Sequence, residues 1–295
     1  MKYISTKEVS TNSHVLHYNT DSLKNLQPIN IFLCSDIHFD NPKCDRKKLK
    51  KDLDKAKEKN AKVLINGDFF CLMQGKGDRR SNKSDIRPEH NNAHYFDSVI
   101  DEAVEWWSPY ADMVEVIGYG NHETGIIKYH EFDPLKRFVQ RLNAENPDAS
   151  DVYTGGYGGW VTIRASYKNN RYTRSYKIKY FHGSGGGGVV TRGQINITRL
   201  MAMVQGADML WLGHIHEDGQ YSVMKESINS FGSVQQTKVD AVITPAYKEE
   251  YSDGSKGWHV ERGAPPKPIG GRFLTLETYK DSDFFLKSKT VSTCE

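Results

Sequence analysis

Three largely apolar runs in the first half of the chain predict strands that are buried on both faces. They are Ile29–Cys34, AKVLINGD at 61–68 and MVEVIG at 113–118, and such runs are typical of a parallel sheet. Apolar residues recur at helical spacing in three further segments: Asp45–Lys59, Phe96–Trp107 and the segment that Asp133-Pro134 opens. This alternation predicts a parallel sheet with helices outside it.

The second half of the chain is predicted to be mostly β. Residues 160–183 alternate like two antiparallel strands around a turn at Lys168–Arg171, and a glycine run then leads to a helix over Gln194–Val204. A strand over Met209–Leu212 follows, and after it come four short β-like pieces: YSVMK, KVDAVIT, GRFLTLET and DFFLKSK. Near the N-terminus, His14–Tyr18 alternates in the manner of an edge strand.

These elements predict an α/β fold, a two-sheet β-sandwich flanked by helices on its outer faces. We expect a single domain over residues 1–295 with a core at about 29–245. Residues 246–295 would contribute strands and a loop that complete the second sheet.

Composition adds little to this picture and excludes some classes of protein. Hydrophobic residues make up 37% of the 295, and a formal net charge of +3 is too small to demand a nucleic-acid partner. No apolar run reaches the length of a membrane span, and the N-terminal residues lack the pattern of a secretory signal. The four cysteines show no paired spacing, which favours a reducing cytoplasm.

Potential metal ligands follow five of the predicted strands. Ligands collect at the carboxyl ends of the strands in open α/β sheets, and nitrogen and oxygen donors suit Mn²⁺, Fe or Zn²⁺. A lone block of this kind is more often a turn or a helix cap than a metal site, but that interpretation does not explain all five in order. The blocks are Asp36 with His38, Asp68, Asn121 with His122, His182, and His214 with His216.

The last block also suggests a local geometry. Residues i and i+2 of an extended chain point to the same face. If the strand Met209–Leu212 continues in extended form, His214 and His216 leave its end in the same direction, toward one shared target.

The order of these blocks resembles the signature of the calcineurin-like metallophosphoesterases. The blocks are D36-I-H38, G67-D68, G120-N121-H122-E123, H182-G183 and G213-H214-I-H216. The resemblance implies two divalent metal ions, with Mn²⁺ the first expectation and Fe or Zn²⁺ the alternatives. It also implies that Asp36, His38 and His216 bind one ion, that Asn121, His182 and His214 bind the other, and that Asp68 bridges them.

Two further points follow from the resemblance. His122 would orient phosphate and help to protonate the leaving oxygen during attack by a hydroxide that bridges the metals. Many members of the family have Asp or Arg at the last position of the second block, where this sequence has Cys71. Whatever that residue does is either missing here or supplied elsewhere.

The substrate is expected to be a phosphodiester in a nucleotide or nucleic acid, because the predicted loops are basic and contain aromatic residues. His94 and Arg192 are the candidate substrate contacts. The loop at 71–95, the glycine run after His182 and the loop at 257–268 could equally be surface or packing segments. Trp258, His259 and Arg262 in the last loop suit either stacking on a base or simple packing.

Other functions remain open at this stage. A phosphomonoesterase, including a protein phosphatase, is the nearest alternative, followed by a DNA nuclease that works with a partner. A non-catalytic binding scaffold is the remotest, because every ligand is present. No obligate protein partner is evident in the sequence.

Overall fold

Two mixed β-sheets form the centre of the molecule. The structure is a computed structural model that describes residues 1–20, 27–73, 85–167, 172–252, 258–261, 263–280 and 284–294. The turn predicted at 168–171 therefore lies outside the described residues, as do residues 74–84 of the predicted long loop.

The first sheet has the strand order β13-β12-β3-β4-β5-β6. Its strands β3 to β6 are parallel to one another, whereas β12 runs antiparallel to β3, and β13 antiparallel to β12. Their bounds are β3 Ile29–Cys34, β4 Lys62–Asn66, β5 Val114–Gly118, β6 Tyr153–Thr154, β12 Arg272–Lys280 and β13 Phe284–Ser292.

The second sheet has the order β1-β2-β7-β8-β9-β11-β10. The pairs β2–β7, β8–β9 and β9–β11 are parallel, and the other pairs are antiparallel. The bounds are β1 Lys2–Ser10, β2 Ser13–Thr20, β7 Gly158–Tyr167, β8 Tyr172–Phe181, β9 Met209–Leu212, β10 Gly219–Ile228 and β11 Val234–Ile243.

Helices cover the outer faces of both sheets. They are α1 Arg46–Glu58, α2 Tyr95–Trp107, α3 Asn121–His130, α4 Pro134–Glu145, α5 Gln194–Met203 and the single turn α6 Trp258–Glu261. Asp45 and Asp133 cap α1 and α4, since their side chains accept from the amides of Lys48 and Lys136. No helix in the described part of the chain combines the length and the apolar character that crossing a membrane requires.

The core consists of an inner layer between the sheets and two outer layers beneath the helices. Along β3, Ile31 and Leu33 face the second sheet, whereas Phe32 packs on the helical side. Along β9, Trp211 lies between the sheets and Leu212 packs under α5. Both strands are buried on both faces, which explains their continuous apolar sequences and confirms the predicted sandwich of two sheets flanked by helices.

Two strand placements differ from the sequence expectation. The C-terminal strands extend the first sheet and do not complete the second, because β12 pairs with the free edge of β3 and places Leu274 and Leu276 between the sheets. The segment His14–Tyr18 is not an edge strand. It lies within β2, which β1 covers on one side and β7 on the other.

Helix α3 was not expected from the sequence, since it begins at Asn121 in the middle of a predicted ligand block. The Glu123 carboxylate accepts from the backbone amide of Gly120, which closes the first turn of the helix. The helix therefore presents Asn121 and His122 at its N-terminus, immediately after β5.

Candidate metal centre

The predicted ligands lie in the loops that follow five strands. Each of these strands ends no more than four residues before a predicted ligand. They are β3, β4 and β5 of the first sheet and β8 and β9 of the second. The structure brings these loops together at one edge of the sandwich, where the ligand atoms form two neighbouring groups.

The first group, the Asp36 group, consists of Asp36, His38 and His216. One ligand atom from each residue lies within 4.8 Å of the others. His216 Nε2 is 3.3 Å from Asp36 Oδ1, and the His38 and His216 rings are 5.4 Å apart between centroids. All three side chains are buried.

The second group, the Asp68 group, consists of Asp68, His182 and His214, whose ligand atoms meet the same 4.8 Å limit. His182 Nε2 lies 3.3 Å from Asp68 Oδ2 and also 3.3 Å from Asn121 Oδ1. Asn121 is therefore beside this group, so each predicted ligand lies in or against one of the two groups.

Burial and neighbouring charges shift the pKa values in both groups. Burial alone would raise the pKa of Asp68, but the charges of His182 and His122 overcome it and hold that pKa well below 3.8. Burial would lower the pKa of His182, yet the Asp68 carboxylate raises it to about 10. For His38, burial and then the His122 charge lower the pKa well below 6.5.

The donor set fits divalent metal ions. Both ring nitrogens of His38 and Nδ1 of His216 are buried and have no hydrogen-bond partner among the described residues. Buried polar atoms without a partner are costly, and coordination of an ion by these imidazoles would remove that cost. Imidazole nitrogens with carboxylate and amide oxygens are the ligands that Mn²⁺, Fe and Zn²⁺ accept.

Five of the predicted ligands have a left-handed backbone conformation. The φ angles are 52° at Asp36, 49° at His38, 47° at Asp68, 69° at His214 and 52° at His216. Non-glycine residues rarely adopt this conformation, and such strain concentrates at functional sites.

The extended geometry expected for His214 and His216 is therefore wrong. Strand β9 ends at Leu212, as predicted, and the chain then turns. As a result His214 joins the Asp68 group and His216 joins the Asp36 group.

His122 lies between the two groups and the loop after β4. Its backbone amide donates to Asp68 Oδ1 at 3.0 Å, and its Nδ1 donates to the backbone carbonyl of Cys71 at 2.6 Å. Its Nε2 is 4.0 Å from Asp68 Oδ2. The carbonyl of Cys71 thus supplies an acceptor that orients the His122 ring, at the position where the sequence departs from the common pattern.

Glu123 connects the loop after β4 to the loop after β5 through hydrogen bonds. The sequence alone gave it no role. Its carboxylate accepts from the amides of Phe70 and Gly120, both at 2.8 Å. Burial and the nearby Asp68 raise the pKa of Glu123 to about 8. The signal in the sequence is a glutamate three residues after Gly120 at a helix start.

A segment far along the chain forms a wall beside the Asp36 group. The Tyr247 amide donates to the carbonyl of Asp36 at 3.1 Å. His259 lies 5.2 Å from His216 between ring centroids, and Glu250 accepts from its Nδ1 at 2.9 Å and from its backbone amide at 2.7 Å. Of the three residues named in the loop at 257–268, His259 packs beside the Asp36 group, whereas Arg262 and the side chain of Trp258 lie outside the described part of the chain.

The two candidate substrate contacts lie outside both groups. His94 is the exposed residue before α2, and Arg192 is exposed on the glycine-rich loop before α5, with a φ of 42°. His90, a nearby residue of the predicted loop, is buried and lies 2.8 Å from Glu102 through Nε2.

Comparison with known proteins adds one finding. The model of one protein family, described as calcineurin-like phosphoesterase, matches residues 29–218, which is well over half of the chain. No curated protein matches the chain.

Proposed function

The chain belongs to the calcineurin-like phosphoesterase family and is a metal-dependent phosphoric ester hydrolase; we propose that its substrates are phosphodiesters of nucleotides or nucleic acid. The observation that carries the proposal is the pairing of the Asp36 and Asp68 groups around His122. The family uses a dinuclear metal centre, and two neighbouring groups of donors suit two ions.

We assign the ligands as follows. Asp36, His38 and His216 bind one ion, and Asn121, His182 and His214 bind the other, with Asp68 between them. The distances within the two groups support this assignment. Mn²⁺ is the ion that we propose first, and Fe and Zn²⁺ suit the same donors.

Two bound divalent ions supply a water of lowered pKa and neutralise phosphate oxygens, which is what in-line displacement at phosphorus requires. The protein's own contribution centres on His122. Because Nδ1 donates to the Cys71 carbonyl, Nε2 is the atom that carries the second proton. In the proposed reaction it gives that proton to the departing oxygen.

Charge favours a diester over a monoester. Three cations of the C-terminal part of the chain, the half-buried Lys248 and Lys267 and the buried Arg272, are already paired with carboxylates. Lys248 lies 2.7 Å from Glu250, Lys267 pairs with Glu217, and Arg272 lies 2.7 Å from Asp218. Positive charge for the substrate then comes mainly from the metal ions and His122, which suits a diester with one negative charge better than a monoester with two.

The glycine-rich loop supports a larger substrate. Residues 184–186 and 188–190 are exposed next to His182, and Arg192 lies at the end of this loop. We propose Arg192 and His94 as contacts for parts of the substrate beyond the reacting phosphate.

The test compares hydrolysis of bis-p-nitrophenyl phosphate and p-nitrophenyl phosphate with added Mn²⁺ and with EDTA. We expect Mn²⁺-dependent cleavage that prefers the diester and that Asp68→Ala abolishes. Asp240→Ala is the matched control, since Asp240 is another buried aspartate but lies in β11 and is not part of either group.

Each other outcome points to a different function. Preference for the monoester would overturn the diester proposal and favour a phosphatase. Cleavage of DNA only when a partner protein is added would favour a nuclease that works with a partner. Intact metal binding without turnover of any phosphate ester would favour a binding scaffold.

A further inference from the structure

A third group of metal-ligating atoms overlaps the Asp36 group at His38. It consists of His38, Cys71 and His122, with ligand atoms within 4.8 Å of one another. We propose that this set, the Cys71 group, binds a thiophilic divalent cation such as Zn²⁺ in competition with the ion of the Asp36 group. The inhibition that would follow rests on the proposed function, whereas the binding itself does not.

The backbone around Cys71 holds the thiol in place. The Asp40 carboxylate accepts from the amides of Cys71 and Leu72 at 2.6 and 2.8 Å. The carbonyl of Cys71 accepts from His122 Nδ1, and Asn41 Nδ2 donates to the sulfur at 3.3 Å. The residue is 1% exposed, so the sulfur is a fixed feature of the site's wall.

His38, which the Cys71 group shares with the Asp36 group, gives a second indication of a ligand beside Cys71. Its side chain is 2% exposed, and neither of its ring nitrogens has a hydrogen-bond partner in the part of the chain that the structure describes. A neutral imidazole carries one lone pair for coordination. His38 can therefore serve an ion in the Asp36 group or one in the Cys71 group, but not both at once.

The chemistry of the donors separates the two positions. The Asp36 group offers one oxygen and two nitrogens, which suit Mn²⁺, whereas a thiolate selects softer ions such as Zn²⁺. Zinc binds sulfur at about 2.3 Å and imidazole nitrogen at about 2.0 Å. On binding, the thiol releases its proton to solvent and a metal–sulfur bond forms, without any change of oxidation state.

Occupation of the Cys71 group would engage His122 as a ligand. The same residue donates the proton to the leaving oxygen in the proposed reaction. A bound thiophilic ion would therefore inhibit hydrolysis in two ways, by removing His38 from the Asp36 group and by engaging His122.

The experiment titrates Mn²⁺-loaded protein with Cd²⁺, a spectroscopic probe for a thiophilic ion. We expect an ultraviolet sulfur-to-cadmium charge-transfer band that saturates at one Cd²⁺ per chain, with release of one Mn²⁺ measured by electron paramagnetic resonance. Cys71→Ser should lose the band, and Cys44→Ser should retain it, because Cys44 is also buried but lies outside the group.

His122→Ala provides a second variant that keeps the thiol. It should retain the band but shift its midpoint to higher Cd²⁺ concentration, because one ligand is missing. A midpoint that does not move would overturn the three-residue site. In turnover assays, inhibition of wild type by Zn²⁺ should shift to higher concentrations in Cys71→Ser.

Failure of this inference differs from failure of the proposed function. A band that persists in Cys71→Ser, or Cd²⁺ binding to wild type without a band, would overturn the Cys71 group even if the enzyme hydrolyses diesters. A band that requires Cys71 in a protein that hydrolyses no phosphate ester would support the group and reject the function.

Discussion

The two donor groups of the candidate metal centre differ in how their imidazoles are held. In the Asp68 group, His182 Nδ1 donates to the carbonyl of Asn66 at 2.8 Å, and its Nε2 lies 3.3 Å from Asp68. In the Asp36 group, neither nitrogen of His38 has a partner among the described residues. Without metal, a proton on His182 can thus occupy the place of an ion in one group, whereas the other group leaves donor atoms unsatisfied.

The residues that surround the two groups also come from different parts of the chain. Tyr157 packs its ring on His182, and both belong to the part of the chain that the family match covers. The Asp36 group is flanked by Tyr247 and His259, which lie beyond that part. The Asp68 group therefore depends on the part of the chain that the family match covers, and the Asp36 group depends also on a segment outside that match.

The largest expected effect comes from breaking both groups at once. Asp68→Asn removes the carboxylate that lies against His182 and His122, and we expect activity to fall by at least about 10³-fold, since metal ions contribute several kcal/mol of transition-state stabilisation. Steady-state kinetics with Mn²⁺ and metal analysis would measure it. Retention of more than a tenth of wild-type activity would contradict the bridging assignment.

His122→Asn should leave both groups able to bind metal but remove the proton donor. We expect a loss of about 10²- to 10⁴-fold with a poor leaving group. The loss should be smaller for p-nitrophenolate, which needs little protonation. Equal losses for a series of leaving groups would show that His122 acts in another way.

The metal affinities of the two groups should depend differently on pH. An ion at the Asp68 group displaces a proton from His182, whose pKa is raised to about 10, so its affinity should fall about tenfold for each pH unit below that value. The Asp36 group should respond less, because the pKa of His38 is lowered well below 6.5. Calorimetric Mn²⁺ titration in buffers of different ionisation enthalpy measures the protons released, and identical release at both sites would contradict the comparison.

The same shift predicts a stability change in metal-free protein. A pKa raised above its value in the unfolded chain stabilises the folded state below pH 6.5, and this stabilisation is lost as the pH rises through about 10. Thermal unfolding in EDTA should show a decrease in Tm over this interval. His182→Gln should remove that part of the decrease.

The smallest effects should come from residues that support each group. Glu250→Gln weakens the anchor of His259 beside His216, and Tyr157→Phe removes the hydroxyl that donates to Gly183 at 2.7 Å. Loss of such supporting partners typically costs about 10- to 100-fold in metal affinity or activity, and we expect values near the lower end. Glu250→Gln should affect one of two Mn²⁺ sites and Tyr157→Phe the other; effects on the same site would contradict the comparison.

Local patterns in the sequence predicted the strands and the ligand blocks. Continuous apolar runs located β3, β4 and β9, and the carboxyl ends of parallel strands converge at one edge of a sheet. The sequence therefore predicts that Asp36 and Asp68, which follow neighbouring parallel strands, lie close together.

Contacts between distant parts of the chain could not be predicted in this way. The pairing of β12 with β3 joins residues more than 200 positions apart, and the alternation of Leu274 and Leu276 fits either sheet. The left-handed conformation of His214 depends on how the chain packs after Gly213, which hydrophobic periodicity does not encode. The same applies to the acceptor that Cys71 offers to His122, because a backbone carbonyl has no sequence signature.

The left-handed backbone at the predicted ligands also affects the stability of variants that lack an imidazole. An L-residue with a side chain costs about 1–2 kcal/mol in this conformation, whereas glycine adopts it freely. Glycine at position 38 or 216 would delete an imidazole and relax the backbone, so these variants should unfold at higher temperature than the matching alanine variants. The space left by the ring would also admit free imidazole from solution, which offers a route to restoring activity chemically.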